Sequence, residues 1–417
     1  MITSKAILKS FLANGEVLTE DSLYAVLDSY FHKNEDLIIP SEKILIVDST
    51  AEEGTGIKGD LSKPFDKIYE AIDEAESGDF ILVRPGTHFL RNQIGYSLAK
   101  PGIHIHFMPC CAVYYGYTVF NSTSEEWVNA PDLTLPFRCT GMAEFINYSD
   151  AVFKRLLNAG QTGGGSNTGV DWCLEFYSFR SNSNEVESDT GPLDQNGNPI
   201  PEFTGEPAIF FQDVTGTHDV RIKCHENIIA HNKLLSFQSL NDGSLYIDCS
   251  GDLISEGGSI ASVRNNGPLY VKARNIISSD SSSSTIVTDG NSSNNKKIFS
   301  ADLIQNEIGT AIEISHTGRY IFRASEIISE ENSCIINTSN ANILIDGSRI
   351  ICHSEDHPAI QRNTNTGSLT LKDCFIEAEG DESIDSSTAT TVNFETPTRS
   401  NKSMGSGVTA FNYTDIS

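Results

Sequence analysis

The sequence predicts an all-β chain wound as a right-handed parallel β-helix, and three series of apolar residues carry that prediction. Apolar doublets recur at Ile228-Ile229, Leu253-Ile254, Ile276-Ile277, Leu303-Ile304, Ile327-Ile328, Ile350-Ile351 and Phe375-Ile376, spaced 25, 23, 27, 24, 23 and 25 residues apart. Before the doublets lie alternating segments such as Val220-Ile222, Leu245-Ile247, Leu269-Val271, Ile343-Ile345 and Leu369-Leu371. That alternation is the period-two signature of a half-buried strand. A third series follows at Leu235, Ile260, Ile286, Ile312, Ile335, Ile360 and Ile384. Three short strands in a repeat of roughly 24 residues fit a coil that stacks on its neighbours, equivalent residues forming ladders.

Turn clusters separate the strands, as at Asn241-Asp242-Gly243, Asn265-Asn266-Gly267, Thr317-Gly318 and Asn365-Thr366-Gly367. Asn and Gly take positive φ there at low cost. A leucine-rich repeat has a similar period, but its Leu-rich consensus and regularly spaced Asn are missing. Cys224 and Cys249 occupy the coil position held later by Ala273, Ala301, Ala324 and Gly347. They read as small core side chains stacked on adjacent coils rather than as a reactive pair.

Taken in order, residues 1–43 form a helical segment, with Thr19 as N-cap of a helix to about Lys33 that carries Leu23, Val26, Leu27 and Tyr30 on one face. This is either an ordinary helix packed on its own domain or an attachment and oligomerisation segment. In the second case Leu27, Asp28, Phe31, His32 and Lys33 are the candidate partner contacts. Residues 44–100 open the β-helix. Phe65, Ile68, Ile72 and Ala75 share one helical face, with Pro64 near the start and Gly78 past the end. A solenoid's first coil needs a cover, and this helix is the expected cap. The strand 79–86 ends at Pro85-Gly86. Residues 101–385 are the β-helix, with loop excursions at 160–168 and 181–206, and residues 386–417 are a C-terminal cap, inter-chain contact or tail.

Ile46-Val47-Asp48-Ser49-Thr50, Lys63-Pro64-Phe65, Ala71-Ile72, Ala75, Gly78-Asp79 and Val83-Arg84-Pro85-Gly86 together resemble the opening segment of pectin-lyase-like β-helix proteins. The likeness is close over roughly residues 44–90 and extends to 385 only through periodicity. It implies a fold, not an activity. Residues 1–40, with Phe11, Gly15, Leu18-Thr19, Leu27-Asp28-Ser29, Phe31-His32-Lys33, Asp36 and Ile38, resemble the N-terminal leader of tail and fibre proteins from phages of Bacteroidetes-type hosts.

Composition narrows the function classes. Of 417 residues, 38% are hydrophobic and 20% charged, which suits neither a disordered acidic chain nor a membrane protein. The formal charge of −27 repels phosphate backbones and anionic membranes, so no nucleic acid and no membrane insertion is expected. Nine cysteines carry no CxxC and no zinc spacing, so no disulfide framework, metal or cofactor is indicated. The N-terminal residues show no secretory signal. Synthesis in a reducing host cytoplasm follows, and sequons such as Asn121 and Asn291 then carry no weight.

A complete catalytic set is not found. Pectate lyases carry a calcium-binding acidic cluster and an Arg base on one face. Here Asp248 and Asp346 follow the same strand residue four coils apart, about 19 Å at strand spacing, too far to share an ion. Polygalacturonases carry four short motifs, of which only Arg221-Ile222-Lys223 is present. Glycoside hydrolysis needs two carboxyl groups about 5–10 Å apart. Glu226 with Asp252 on adjacent coils, or Asp252 with Glu256, are the candidate pairs, beside the alternative of solvated surface acids. His225, His231, His316, His353 and His357 follow no triad or metal spacing.

The expected function is a virion structural protein of a bacteriophage: a homotrimeric fibre, spike or tail-associated β-helix, bound to other virion proteins through its N-terminal segment and facing a host surface glycan. The alternative is a glycan depolymerase of lyase or hydrolase type on the same fold. A non-enzymatic carbohydrate-binding module is a third reading.

Overall fold

A computed structural model describes residues 39–90, 100, 102–115, 137–147, 157–160, 172–180, 209–212, 219–230, 235–238, 243–256, 261–263, 267–279, 284–288, 295–363, 367–386, 390–405 and 408–415. Leu27, Asp28, Phe31, His32 and Lys33 fall outside these residues, as do both loop excursions apart from Gly160. Over the rest the chain is a parallel β-solenoid of about 7 turns with about 25 residues per turn. The all-β β-helix predicted by the repeats is what the chain builds.

Each coil contributes a strand to three faces, here called A, B and C. Face A holds Val220–Cys224, Leu245–Cys249, Leu269–Lys272, Asn342–Asp346 and Ser368–Lys372, each parallel to the next. Face B holds Ile228–Ala230, Leu253–Ser255, Asn275–Ser278, Arg349–Cys352 and Phe375–Ala378. Lys296–Asn306 and Arg319–Ser329 run unbroken around the corner between A and B. Face C is a separate ten-stranded sheet. Face-A strands alternate, as where Val220, Ile222 and Cys224 are buried and Arg221 and Lys223 exposed, although Tyr320, Ile321 and Phe322 are buried in succession.

The ladders run straight through the core. Ile228, Leu253, Ile276, Ile304, Ile327, Ile350 and Ile376 occupy one slot, and none is more than 1% exposed. At about 1.5–3 kcal/mol for each fully buried aliphatic side chain, such a column is a main source of stability. Three sequence assignments shift by one residue. Ile350 pairs with Ile376, so the last doublet reads Ile376-Glu377 rather than Phe375-Ile376. Ile276 pairs with Ile304, so that coil's repeat unit is Ile304-Gln305 rather than Leu303-Ile304. On face C, Leu235 and Ile286 pair with Ala261, the neighbour of Ile260.

On face A one inward slot holds a charge. Lys297 sits between Leu269 and Tyr320 on face A and is fully buried. Its Nζ lies 3.4 Å from the Tyr320 hydroxyl and 5.2 Å from that ring's centroid. Burial pulls its pKa down to about 8.

The opening segment shows why its motif is spelled as it is. The helix spans Ile68–Glu74 and buries Ile68, Ala71 and Ile72 against the same core as Leu45, Val47, Ile81 and Val83. Phe65 lies outside it, because its N–H donates to the Ile46 carbonyl at 2.7 Å and its carbonyl accepts from Asp48 at 2.8 Å. Those backbone groups are committed to a bridge before the helix begins. The buried Asp79 side chain accepts the Glu76 N–H at 2.7 Å and pairs with Lys58 at 2.6 Å.

Past residue 386 the coil continues. Thr390–Ser400 pairs with the preceding face-A and face-B strands and adds Val392 and Phe394 to the ladders of Leu369 and Leu371. Val408–Asp415 pairs in parallel on top of it. Gly367 shows what the turns require: at φ +78, an added Cβ would lie 2.4 Å from the Ala341 carbonyl oxygen.

Candidate functional site

The period of two sends every second residue of face A outward in register. The outermost polar row therefore reads His106, Thr140, Glu175, Lys223, Asp248, Lys272, Ser300, Arg323 along the coils. Arg323 meets Asp346 at 3.9 Å, and Asp346 pairs with Lys372 at 3.1 Å. Successive members are about 4.8 Å apart at strand spacing. Beside it runs a second outward row, His104, Arg138, Cys173, Arg221, Tyr246, Tyr270.

At the N-terminal end the polar row thickens into a cluster. Thr140 Oγ1 lies 2.7 Å from His104 Nε2 and 2.9 Å from His106 Nδ1, so one hydroxyl serves both rings. Phe80 packs edge-on to His104 at 4.9 Å. Burial lowers the pKa of both histidines, that of His104 to about 4, which keeps the rings neutral at pH 7. On the next coil Glu175 Oε1 accepts from Lys223 at 2.7 Å and sits 2.9 Å from His225 Nε2. Burial pushes that carboxyl up, but the bonds from Lys223 and His225 outweigh it and hold it below the usual range. In its second row, Arg221 lies 5.3 Å over the Tyr246 ring, and Tyr246 stacks on Tyr270 at 4.9 Å and 5°.

Glu226 and Asp252 stand at the A–B corner of adjacent coils. The Tyr177 hydroxyl donates to Glu226 at 3.2 Å. Asp252 is gripped by Arg274 in a bidentate pair, at 2.8 and 2.7 Å, and also accepts from Asn275 at 2.9 Å. The Arg274 bonds hold its pKa down, so it is a fixed anion rather than a proton donor. The corner is tight, because a Cβ on Gly251 would fall 2.3 Å from Asn227 Oδ1. That oxygen accepts the Asp252 N–H at 2.9 Å. Glu256 lies four extended residues beyond Asp252, about 13 Å along face B, so those two do not form a pair at catalytic spacing. Asp248 and Asp346 lie four coils apart in the polar row, as their spacing predicts.

The His104–Thr140–His106 group escaped the sequence reading. Its signal was the alternation Ile103-His104-Ile105-His106-Phe107, which buries the apolar residues and turns both imidazoles outward. Among the described residues, no group of three or more His, Cys, Asp or Glu could hold a metal ion, and no helix is long and apolar enough to cross a membrane. All nine thiols are free. Cys224 and Cys249 are register partners on adjacent coils, both buried, as small ladder residues. The Cys224 thiol donates to the Tyr177 carbonyl at 3.2 Å and the Cys249 thiol to the Glu226 carbonyl at 3.0 Å.

Comparison with protein families, with curated proteins and with solved structures found no match. The parallel β-solenoid of about 7 turns is consistent with a pectin-lyase-like fold.

Proposed function

We propose that the chain is a virion structural protein of a bacteriophage, a β-helical fibre, spike or tail-associated protein whose face A contacts a host surface glycan. The observation that carries this reading is the state of the outward carboxylates. Glu175 and Asp346, in the outward row of face A, are each tied to a cation on a neighbouring coil. A row of pinned charges, donors and acceptors recurring at every coil suits an extended polar chain lying along the axis. Glu175 is held below the usual carboxylate range despite its burial, the opposite of the protonated acid that hydrolysis requires. The leader resemblance assigns residues 1–43 to anchoring on other virion proteins.

The depolymerase reading keeps one favourable observation, that Glu226 and Asp252 stand on adjacent coils and both act on the Arg274 guanidinium. The test is incubation with purified surface polysaccharide of a permissive host, reading retention and new reducing ends or unsaturated uronate together. Retention that falls at least tenfold in Lys223→Glu/Lys272→Glu, with no cleavage products, supports attachment. Cleavage that disappears in Glu226→Gln and Asp252→Asn overturns it in favour of the enzyme. No retention overturns the glycan role altogether.

A further inference from the structure

The outward polar row of face A follows an order that burial alone does not impose. From Glu175 it runs Glu175, Lys223, Asp248, Lys272, Ser300, Arg323, Asp346, Lys372, coil by coil. Glu395 continues it, one residue past the Leu371–Phe394 pair and acting on Lys372. Acid and base alternate along the whole row, and Ser300 is where the alternation breaks. Register partners stand about 4.8 Å apart, so like charges are kept about 9.6 Å from one another and each charge has opposite neighbours.

Ser300 occupies a place where the alternation calls for a carboxylate. It is half-buried between two exposed cations, Lys272 on the coil below and Arg323 on the coil above. Other cations of the row have an acid close by: Lys223 meets Glu175 at 2.7 Å, and Lys372 meets Asp346 at 3.1 Å. Among the described residues no ion pair holds Lys272. Arg323 reaches Asp346 at 3.9 Å, toward the coil above and not toward Ser300. Lys296 and Arg319, both exposed, open the strands that carry Ser300 and Arg323. Over these three coils the outward positions of face A hold Lys272, Lys296, Arg319 and Arg323 and no acid, the first being Asp302, past Ser300 at the corner. In a chain of formal charge −27 this is a local reversal of sign.

We infer that Lys272, Ser300 and Arg323 form a subsite for one anionic substituent of the glycan, which takes the place of the missing carboxylate. A carboxylate, sulfate or phosphate lying over Ser300 is bracketed by an ammonium and a guanidinium and accepts from the serine hydroxyl. Serine suits the position because it supplies a donor and leaves open the room that an aspartate fills on neighbouring coils. A free anion held by two exposed side chains is bound weakly, whereas a substituent on a chain already lying along the row is presented at high effective concentration. This subsite rests on the reading of face A as the glycan-contacting surface, and adds to it the charge of the ligand and the coil on which that charge docks.

The experiment is retention of the full chain on surface polysaccharide from a permissive host, native and after carboxyl reduction, desulfation or dephosphorylation. One of these treatments should lower retention by about tenfold or more, the worth of one charge-assisted hydrogen bond, and it identifies the anion. On the native polysaccharide Ser300→Asp, which completes the alternation, should lose as much. Its far-UV circular dichroism and melting should match wild type, because Asp248 and Asp346 fill the same slot on other coils. Lys272→Gln/Arg323→Gln should lose retention as well, without adding an acid. Asp248→Ser, which opens a second gap between Lys223 and Lys272, should strengthen retention. Gln361→Glu adds the same charge to the outer row of face C and should leave retention unchanged. Retention that survives all three treatments, or that survives Ser300→Asp, overturns the subsite and leaves glycan contact standing. A wild type that is not retained at all overturns the glycan reading and the subsite together.

Discussion

The coils between residues 80 and 180 and those between 269 and 378 close the same cross-section with different packing. In the first, Phe107, Phe145 and Phe176 meet edge to face, at 5.5 and 5.8 Å between centroids and 81° and 83° between planes. Tyr115 and Phe179 join them at 5.4 Å and 30°. In the second, Ile276, Ile304, Ile327, Ile350 and Ile376 repeat one residue in one slot, and the aromatic pair Phe299–Phe322 lies nearly flat at 12°. An aliphatic ladder is a translation, each coil copying the last. Phe145 stands in the ladder Val113–Phe145–Phe179, whereas Phe107 pairs with Gly141 and Phe176 with Cys224, so these edge-to-face contacts cross between ladders and successive coils are not copies. Translation leaves a fixed period in the sequence, and alternation of ring orientation does not.

The sharpest way to break the comparison is to remove one ring. Phe145 touches the rings on both sides, so Phe145→Ala should cost about 3–5 kcal/mol in denaturant unfolding, because no identical neighbour can slide into the void. Ile327→Ala, in the middle of the ladder, should fall at the lower end of the about 2–5 kcal/mol range for such truncations. Equal costs would mean that column type does not govern tolerance. A smaller effect of opposite sign comes from the slot where the ladder is interrupted. Lys297→Met removes a buried ammonium held by the Tyr320 hydroxyl and ring, and should stabilise the fold by about 1–3 kcal/mol.

The pH dependence of Lys297 gives the same slot a second readout. Its folded pKa near 8 is below the free value near 10.5, so the unfolded chain binds more protons between them. The cost of burying the ammonium is therefore full below about pH 8 and is relieved as pH rises to about 10.5. Wild-type melting temperature should gain over that window relative to Lys297→Met, whose profile should lack this increment. Parallel profiles would show that the ammonium is already neutral, or well solvated, in the folded chain.

How much of this was legible follows from the same contrast. The ladders from Ile228 to Ile384 could be read because each coil spends its apolar residues at one phase, and the strand alternation fixed which faces were buried. The slip at Leu303 arose because an apolar residue also occupies the outward position there, so the doublet's phase was ambiguous. Lys297 was unreadable as core: a lysine at an inward phase looks like the exposed Lys296 beside it. The continuation past residue 386 was present as the alternation of Val392 and Phe394 but lacked a doublet to announce it. Of the site, Glu226 and Asp252 were placed on adjacent coils correctly. The ion pairs that pin Asp252 and Glu175 were not visible, because they join residues 22 and 48 positions apart. The clustering of His104, His106 and Thr140 depends on a coil of 34 to 36 residues, off the repeat.

The smallest expected effect separates a structural carboxylate from a catalytic one. Asp252 is largely buried at its side chain while Arg274 is about half exposed, so their pair is screened and its net contribution to stability is expected to be under about 1 kcal/mol. Asp252→Asn keeps a hydrogen-bond acceptor for Arg274 and Asn275 at almost the same shape. Its denaturant midpoint should shift little, and less than that of Asp252→Ala, which leaves Arg274 without its fork partner. If Asp252 serves only the corner, retention of polysaccharide by Asp252→Asn should equal wild type, because the side chain faces Arg274 and Asn275 rather than the outward row of face A. A large loss of glycan affinity or turnover at unchanged stability would instead move the working surface from face A to the corner, and with it the balance between attachment and cleavage.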